Sequence, residues 1–314
     1  MSISHNVLAA IGNTSLVELR QVVPPDCARI FVKVEGQNPT GSMKDRMAQA
    51  MVERAERDGR LRPGDTIVEY TGGSTGASLA LISVAKGYRI RIVTSNAFSE
   101  DKLRQMEALG AELTVIHSQS GLTTKTLILG MIGEAERLSC RPDTYWTDQL
   151  NNADSIAGYY PMGQEIWRQT GGKVDAFVQS VGTAASLRGV ATVLRRHSPA
   201  VKIVAVEPGE SAVLSGGEPG AHRIEGIGIG YTPPMWDPDL VDEIVPIPTE
   251  AAEAMARRLA REEGLFAGTS SGANVLGAIQ VGTRMGAGAR IATLLVDSGL
   301  RYLSTGLYTR REQA

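Results

Sequence analysis

Hydrophobic positions along this chain gather into short β-branched runs, each followed by a small, glycine-bearing turn and a stretch of helical spacing. The runs at 66–70, 89–94 and 112–117 read as buried strands. Between them, 74–86 and 100–109 carry apolar residues at helical spacing, and Gly110 stands where the residue after a helix belongs. A second set follows a helical region at 154–170. Strands are expected there at 175–180, 201–206 and 290–296, with helices at 186–196, 250–263 and 271–286. Such alternation specifies a mostly parallel sheet covered by helices, because a parallel crossover needs a long return connection. The expected fold class is α/β, with two lobes each built on a sheet of this kind. Ligands in such folds bind beyond the carboxyl ends of the strands. The proline-rich stretch at 231–238 reads as a rigid loop within the second lobe.

Composition narrows the function classes. At 314 residues and 42% hydrophobic, the chain suits one large α/β unit or two lobes. Its 21% charged residues sum to a net −2, which argues against nucleic acid or an acidic membrane surface as partner. Cys27 and Cys140 fit no metal or CxxC spacing and suggest a reducing compartment. His5, His117, His197 and His222 are scattered, so no metal site is expected. The N-terminus shows no basic segment followed by an apolar core, and no apolar run is long enough to span a bilayer. The expectation is a cytoplasmic protein acting on a small molecule.

Lys44 is the first candidate for chemistry. Only seven of the 32 basic residues are lysine, and this one follows the turn-forming stretch Asn38-Pro39-Thr40-Gly41-Ser42-Met43 at the start of a helical pattern. A helix N-terminus disfavours a cation. A lysine that must lose its proton to attack an aldehyde gains from that placement. A solvated helix-start lysine is the plainer alternative.

Four polar junctions follow. Thr71-Gly72-Gly73-Ser74-Thr75-Gly76 opens a helix after a strand, and its backbone N–H groups and hydroxyls suit a carboxylate or phosphate. A dinucleotide fingerprint fits poorly: the spacing misses G-x-G-x-x-G, and no acid ends the next strand. Gly182-Thr183-Ala184-Ala185-Ser186 has only small side chains and could cradle a phosphate, though many α/β turns look alike. Gly226-Ile227-Gly228-Ile229-Gly230 suggests close backbone approach to a ligand or a simple bulge. Gly268-Thr269-Ser270-Ser271-Gly272-Ala273 is a hydroxyl cluster at a helix start, which also suits capping.

Taken in order, N-P-x-x-S-x-K-D-R, T-x-G-x-T-G, G-T-x-x-S, G-I-G-x-G and S-S-G-A resemble the cysteine synthase and cystathionine β-synthase branch of the fold-type II pyridoxal-phosphate enzymes. The resemblance runs from Ile11-Gly12-Asn13-Thr14 through Asp148-Gln149-Leu150-Asn151-Asn152 to Asp297-Ser298-Gly299-Leu300-Arg301-Tyr302. It implies pyridoxal 5′-phosphate as cofactor, carried by Lys44 as a Schiff base. It implies that Gly182, Thr183, Ala184, Ala185 and Ser186 hold the phosphate, that Ser74 faces the 3′ oxygen, and that Ser270 meets the pyridine nitrogen. Thr71, Gly72, Gly73, Thr75, Gln149 and Gly228 would surround the substrate. The implied lobes are residues 1–15 with 38–150, including a mobile part near 74–138, and residues 16–37 with 151–314, which bind the phosphate. The implied assembly is a homodimer.

The implied reaction is β-replacement on an activated L-serine by sulfide or another nucleophile, through an aminoacrylate. Elimination to pyruvate and ammonia, as in a cysteine desulfhydrase, is the alternative, and a non-catalytic binding protein is a third. Departures from the family pattern bear on this choice. Gly72 replaces a serine, Ser74 an asparagine and Leu150 a phenylalanine, while Ala184 and Ala185 add methyl groups to the phosphate loop. Gly72 and Ser74 are expected to leave space for a bulkier substrate. Restoring both family residues is expected to raise sulfhydrylase activity.

Overall fold

The computed structural model describes residues 6–118 and 124–309; His5 and the outermost ends of the expected lobes lie outside them. The chain opens with β1 (Leu16–Glu18) and β2 (Arg29–Val34). Next come α1 (Lys44–Arg57), β3 (Thr66–Tyr70), α2 (Ser74–Lys86), β4 (Arg89–Thr94), α3 (Glu100–Ala108) and β5 (Glu112–Val115). They are followed by α4 (Lys125–Ser139), β6 (Thr144–Trp146) and α5 (Asp154–Ala157). The rest runs α6 (Tyr160–Gln169), β7 (Ala176–Ser180), α7 (Ala185–His197), β8 (Lys202–Pro208), β9 (Glu243–Ile247), α8 (Thr249–Arg258), α9 (Thr269–Met285) and β10 (Arg290–Leu295).

These elements form two compact units. The first is Asn38–Gly158 with the described residues up to Ile11, and the second is Gly12–Gln37 with the chain from Tyr159 onward. The divisions thus fall at 11/12 and 158/159, where the sequence had suggested 15/16 and 150/151. Local bonding explains both. Asp154 of α5 pairs with Arg60 at 2.6 Å, which keeps α5 with the first unit. The Asn13 N–H donates to Glu165 (3.0 Å), and the Thr14 hydroxyl donates to Glu35 (2.7 Å), which draws this stretch into the second.

The sheet of the first unit has the order β5-β4-β3-β6, all parallel. Helix α4 packs on it, placing Leu127, Met131, Ala135 and Leu138 against Val68, Tyr70 and Val93. The sheet of the second unit has the order β1-β2-β10-β7-β8-β9, parallel except for the β1–β2 pair. Its core joins Ile30, Val32, Val178, Val204 and Val206 to Ala273, Val275, Ala278 and Val281 of α9. Each large aliphatic side chain buried in this way contributes about 1.5–3 kcal/mol. The fold is α/β with two mostly parallel, helix-covered sheets, as the strand–helix rhythm specified.

Two expected helices differ in detail. The 154–170 region is split into α5 and α6 by the break at Gly158 and Tyr159. Helix α8 ends at Arg258 and widens into a π-helical turn over Leu259–Glu263. The Glu263 carboxylate there accepts from the N–H groups of Arg20, Gln21 and Val22 at 2.8, 2.6 and 3.0 Å. Strands β1 and β6, three residues each, were too short to show a period. Strand β9 carries Pro246, which an edge strand tolerates because no ladder bond is lost on its open side.

Candidate active site

In the first unit, Lys44 is the opening residue of α1 and is half-buried, with its N–H on Ser42 Oγ at 3.3 Å. The next residue fixes this helix start. Asp45 is fully buried and accepts from the Thr40 N–H (2.9 Å), the Thr40 hydroxyl (2.5 Å) and the Ser78 hydroxyl (2.6 Å). A carboxylate in the first turn also suits the positive end of the helix. Ser78 lies on α2, so the start of α1 is tied to the helix that begins at Ser74.

The loop before α2 is held on both sides. The Thr71 N–H donates to Val93 O (3.0 Å), and the Gly73 N–H donates to Thr71 Oγ1 (3.1 Å). The Thr75 hydroxyl donates to Gln149 Oε1 (2.6 Å), and Gln149 Nε2 donates to Tyr70 O (3.0 Å). Thr71, Gly72, Gly73, Thr75 and Gln149, predicted separately from two distant stretches, therefore meet at the carboxyl end of β3. Ser74 opens α2, with its carbonyl 3.0 Å from Ser78 Oγ. The space expected beside Gly72 is taken by the ring of Phe98, which corrects the reading of this departure as an opening.

Two residues of this unit were not singled out in the sequence. Phe98 is one. The other is Glu69, a lone acid within the otherwise uncharged strand Thr66–Tyr70, which was a usable signal. Its carboxylate accepts from the Tyr70 N–H (2.9 Å), the Thr147 hydroxyl (2.6 Å) and the Gln149 N–H (3.0 Å). Complete burial pushes its pKa up to about 7, against the lowering effect of those donors, and the Asp148 charge adds to the rise.

In the second unit, the 182–186 loop joins β7 to the N-terminus of α7. A Cβ at Gly182 would stand 2.4 Å from Gly226 O, so only glycine fits where these two loops touch. Ala184 adopts the left-handed conformation (φ 69°), so its added methyl group is carried at a backbone angle that usually favours glycine. Thr183 Oγ1 accepts from the Ala185 N–H at 3.4 Å, and Ser186 Oγ accepts from Gln179 Nε2. The Gly228 N–H donates to Val181 O (3.1 Å), which sets the glycine-rich loop beside the 182–186 turn. Gly228 O lies 2.8 Å from His222 Nε2.

Ser270 is buried in the first turn of α9. Asn274, one turn on, accepts from the Ser180 N–H (2.6 Å) and donates to Leu294 O (3.0 Å). It thus locks α9 to the ends of β7 and β10, on the rim that also carries the 182–186 loop. The donor set fits pyridoxal phosphate. Backbone N–H groups and the positive end of α7 suit a phosphate dianion, and a neutral buried hydroxyl suits a pyridine nitrogen. Among the described residues no group of three or more His, Cys, Asp or Glu is placed to hold a metal ion. No helix among them is long and apolar enough to cross a membrane.

Known proteins share this fold. The family described as pyridoxal-phosphate dependent enzyme matches residues 7–297. A cysteine synthase of Staphylococcus aureus is 41% identical over 306 residues, 97% of each chain. The crystal structure of a cysteine synthase from Entamoeba histolytica superposes with a TM-score of 0.93 at 37% identity, covering all of this chain and 93% of the other. That of an O-ureido-L-serine synthase superposes with a TM-score of 0.91 at 34% identity, covering 100% and 98%. The lysine at the start of α1, the small-residue turn at the start of α7 and the match along nearly the whole chain agree: this protein belongs to the pyridoxal-phosphate dependent enzymes.

Proposed function

We propose that this enzyme catalyses β-replacement on an activated L-serine of the O-acetylserine type, exchanging its β-oxygen leaving group for sulfide or another nucleophile. The observation that carries the reading is the loop from Thr71 to Thr75. Its N–H groups, hydroxyls and tie to Gln149 form a neutral donor site at a helix start, suited to an α-carboxylate.

Bound pyridoxal phosphate supplies an electron sink that acidifies the α-carbon of an amino acid. Lys44 would hold the cofactor through its side-chain amine, and that amine would accept and return the proton at the substrate α-carbon. Thr71, Gly72, Gly73, Thr75 and Gln149 orient the substrate by its carboxylate. Gly182, Thr183, Ala184, Ala185 and Ser186 would hold the phosphate, and Ser74 would hold the 3′ oxygen. Ser270 would hold the ring nitrogen through a neutral hydroxyl, a partner suited to expelling a β-leaving group rather than to longer-lived carbanion chemistry. The working assembly in this reading is a cytoplasmic homodimer, and light scattering on the purified enzyme tests its stoichiometry.

The test is product analysis with O-acetyl-L-serine and other β-substituted alanines, with and without sulfide. Cysteine should form in the presence of sulfide, with little pyruvate. Equal pyruvate and ammonia release in both conditions, without cysteine, would overturn the reading in favour of elimination.

A further inference from the structure

We infer that Glu69 is a positioning residue that holds Gln149 in place to receive the substrate carboxylate. This rests on the reading of the 71–75 loop and Gln149 as the α-carboxylate site. A carboxylate buried beneath a strand end is costly unless its oxygens are occupied by donors. Here two of the three donors come from a single short turn. The Thr147 hydroxyl and the Gln149 N–H both give to Oε2, at 2.6 and 3.0 Å, while the Tyr70 N–H gives to Oε1 at 2.9 Å.

The turn itself is tightly constrained. Asp148 has a positive φ of 44°. Its carbonyl accepts from the N–H groups of Asn151 and Asn152 at 3.0 and 2.9 Å. Its carboxylate accepts from Asn151 Nδ2 at 3.0 Å on each oxygen. Glu69 pins this turn to β3 by its backbone and by Thr147, leaving the Gln149 side chain to project from a fixed point.

The amide of Gln149 is then oriented by its own partners. The Thr75 hydroxyl spends its hydrogen on Oε1, and Nε2 spends one of its two hydrogens on Tyr70 O. One Nε2 hydrogen is left to give to a substrate. A shift of the Gln149 backbone would move that donor and disturb the Thr75 hydroxyl with it. Glu69 therefore acts on substrate binding through Gln149, without contacting the substrate or the cofactor phosphate.

The experiment compares Glu69→Gln, Gln149→Ala and the double variant in the cofactor-loaded enzyme. It reads KM and kcat with O-acetyl-L-serine and sulfide, cofactor content, and hydrogen exchange of the peptide containing Gln149. Glu69→Gln puts an NH2 group where a donor now points, so at least one of the three bonds is lost. The expected result is a KM raised by about tenfold or more with a much smaller change in kcat. Exchange at the Gln149 peptide should accelerate, cofactor content should stay unchanged, and the double variant should be no worse than Gln149→Ala.

An unchanged KM in Glu69→Gln, or effects that multiply in the double variant, would overturn the inference. If Gln149→Ala leaves KM unchanged, the carboxylate-site reading fails and the inference falls with it. Hydrogen exchange in Glu69→Gln then still reports whether Glu69 holds the turn. Should Glu69→Gln fold poorly, Thr147→Val removes one of the three donors alone and is expected to show a smaller KM rise. No KM rise in that variant counts against the inference.

Discussion

The ring of Phe98 occupies the space that a side chain at Gly72 would need: a Cβ there would stand 2.7 Å from Phe98 Cε1 and 2.8 Å from Cδ1. The glycine and the aromatic ring, 26 positions apart, are therefore complementary in shape. Phe98 also packs, partly buried, against the core of the first unit, as does Leu150. The space beside the 71–75 loop is thus filled by an apolar ring.

This pairing predicts that Gly72→Ser by itself will not improve activity. The ring must move, and overpacking of this kind costs typically about 1–3 kcal/mol. A partly buried ring places the cost near the lower end. Gly72→Ser should lower both the thermal midpoint and kcat/KM with O-acetyl-L-serine. Gly72→Ser with Phe98→Met should recover most of both, because the unbranched methionine can bend away. Equal behaviour of the single and double variants in unfolding and kinetics would show that the two positions are independent.

Lys44 is expected to be the only lysine covalently linked to the cofactor. Borohydride reduction of the yellow enzyme followed by peptide mapping should place the label on the Lys44 peptide. Label on Lys33 or Lys86 would contradict the assignment. Lys33 is fully buried and paired with Glu165 at 2.7 Å, and Lys86 pairs with Glu56 at 2.8 Å.

In the proposed reading the 182–186 turn holds the cofactor phosphate, and three variants of it should differ. Thr183→Ala should weaken cofactor retention by about 1.5–3 kcal/mol, roughly one to two decades, while Thr183→Ser should retain it. Gly182→Ala should be worse than either, since its methyl group meets Gly226 O at 2.4 Å and must displace backbone. Cofactor absorbance after dialysis reads all three. Full retention by Gly182→Ala would mean that the two loops separate freely.

Glu69 makes stability depend on pH in a definite direction. Its pKa is raised from 4.5 to about 7 by burial, so the folded state binds a proton that the unfolded state has released between those values. Stability is fully retained below about pH 4.5 and is lost as pH rises to about 7, by about 3 kcal/mol over that window. In Glu69→Gln this loss should be absent, so the difference between variant and parent should shift in the variant's favour from pH 4.5 to 7 and then level off. Denaturant unfolding at several pH values measures it. A difference that does not vary with pH would show that Glu69 titrates near its ordinary range.

The strand–helix rhythm alone determined the α/β class, because short β-branched runs alternating with stretches of helical spacing specify a parallel sheet covered by helices. Strand β3 and helix α2 were readable to the residue, since a buried apolar strand gives way there to small polar residues at the start of a helix. The sequence also pointed to Lys44, the 71–75 loop, the 182–186 loop and Ser270 as candidates, and the structure sets each at or just before the start of a helix. Tertiary structure decided what joins them. Glu69 and Gln149 lie 80 positions apart and meet only because β6 pairs beside β3. Phe98 reaches Gly72 because β4 pairs with β3 on its other side. Asn274 ties α9 to β7 and β10 through backbone groups, which leave no mark in the sequence. Local sequence specifies local conformation and reactive groups, whereas contacts across a sheet depend on strand order and register, and those are settled only when the whole core packs.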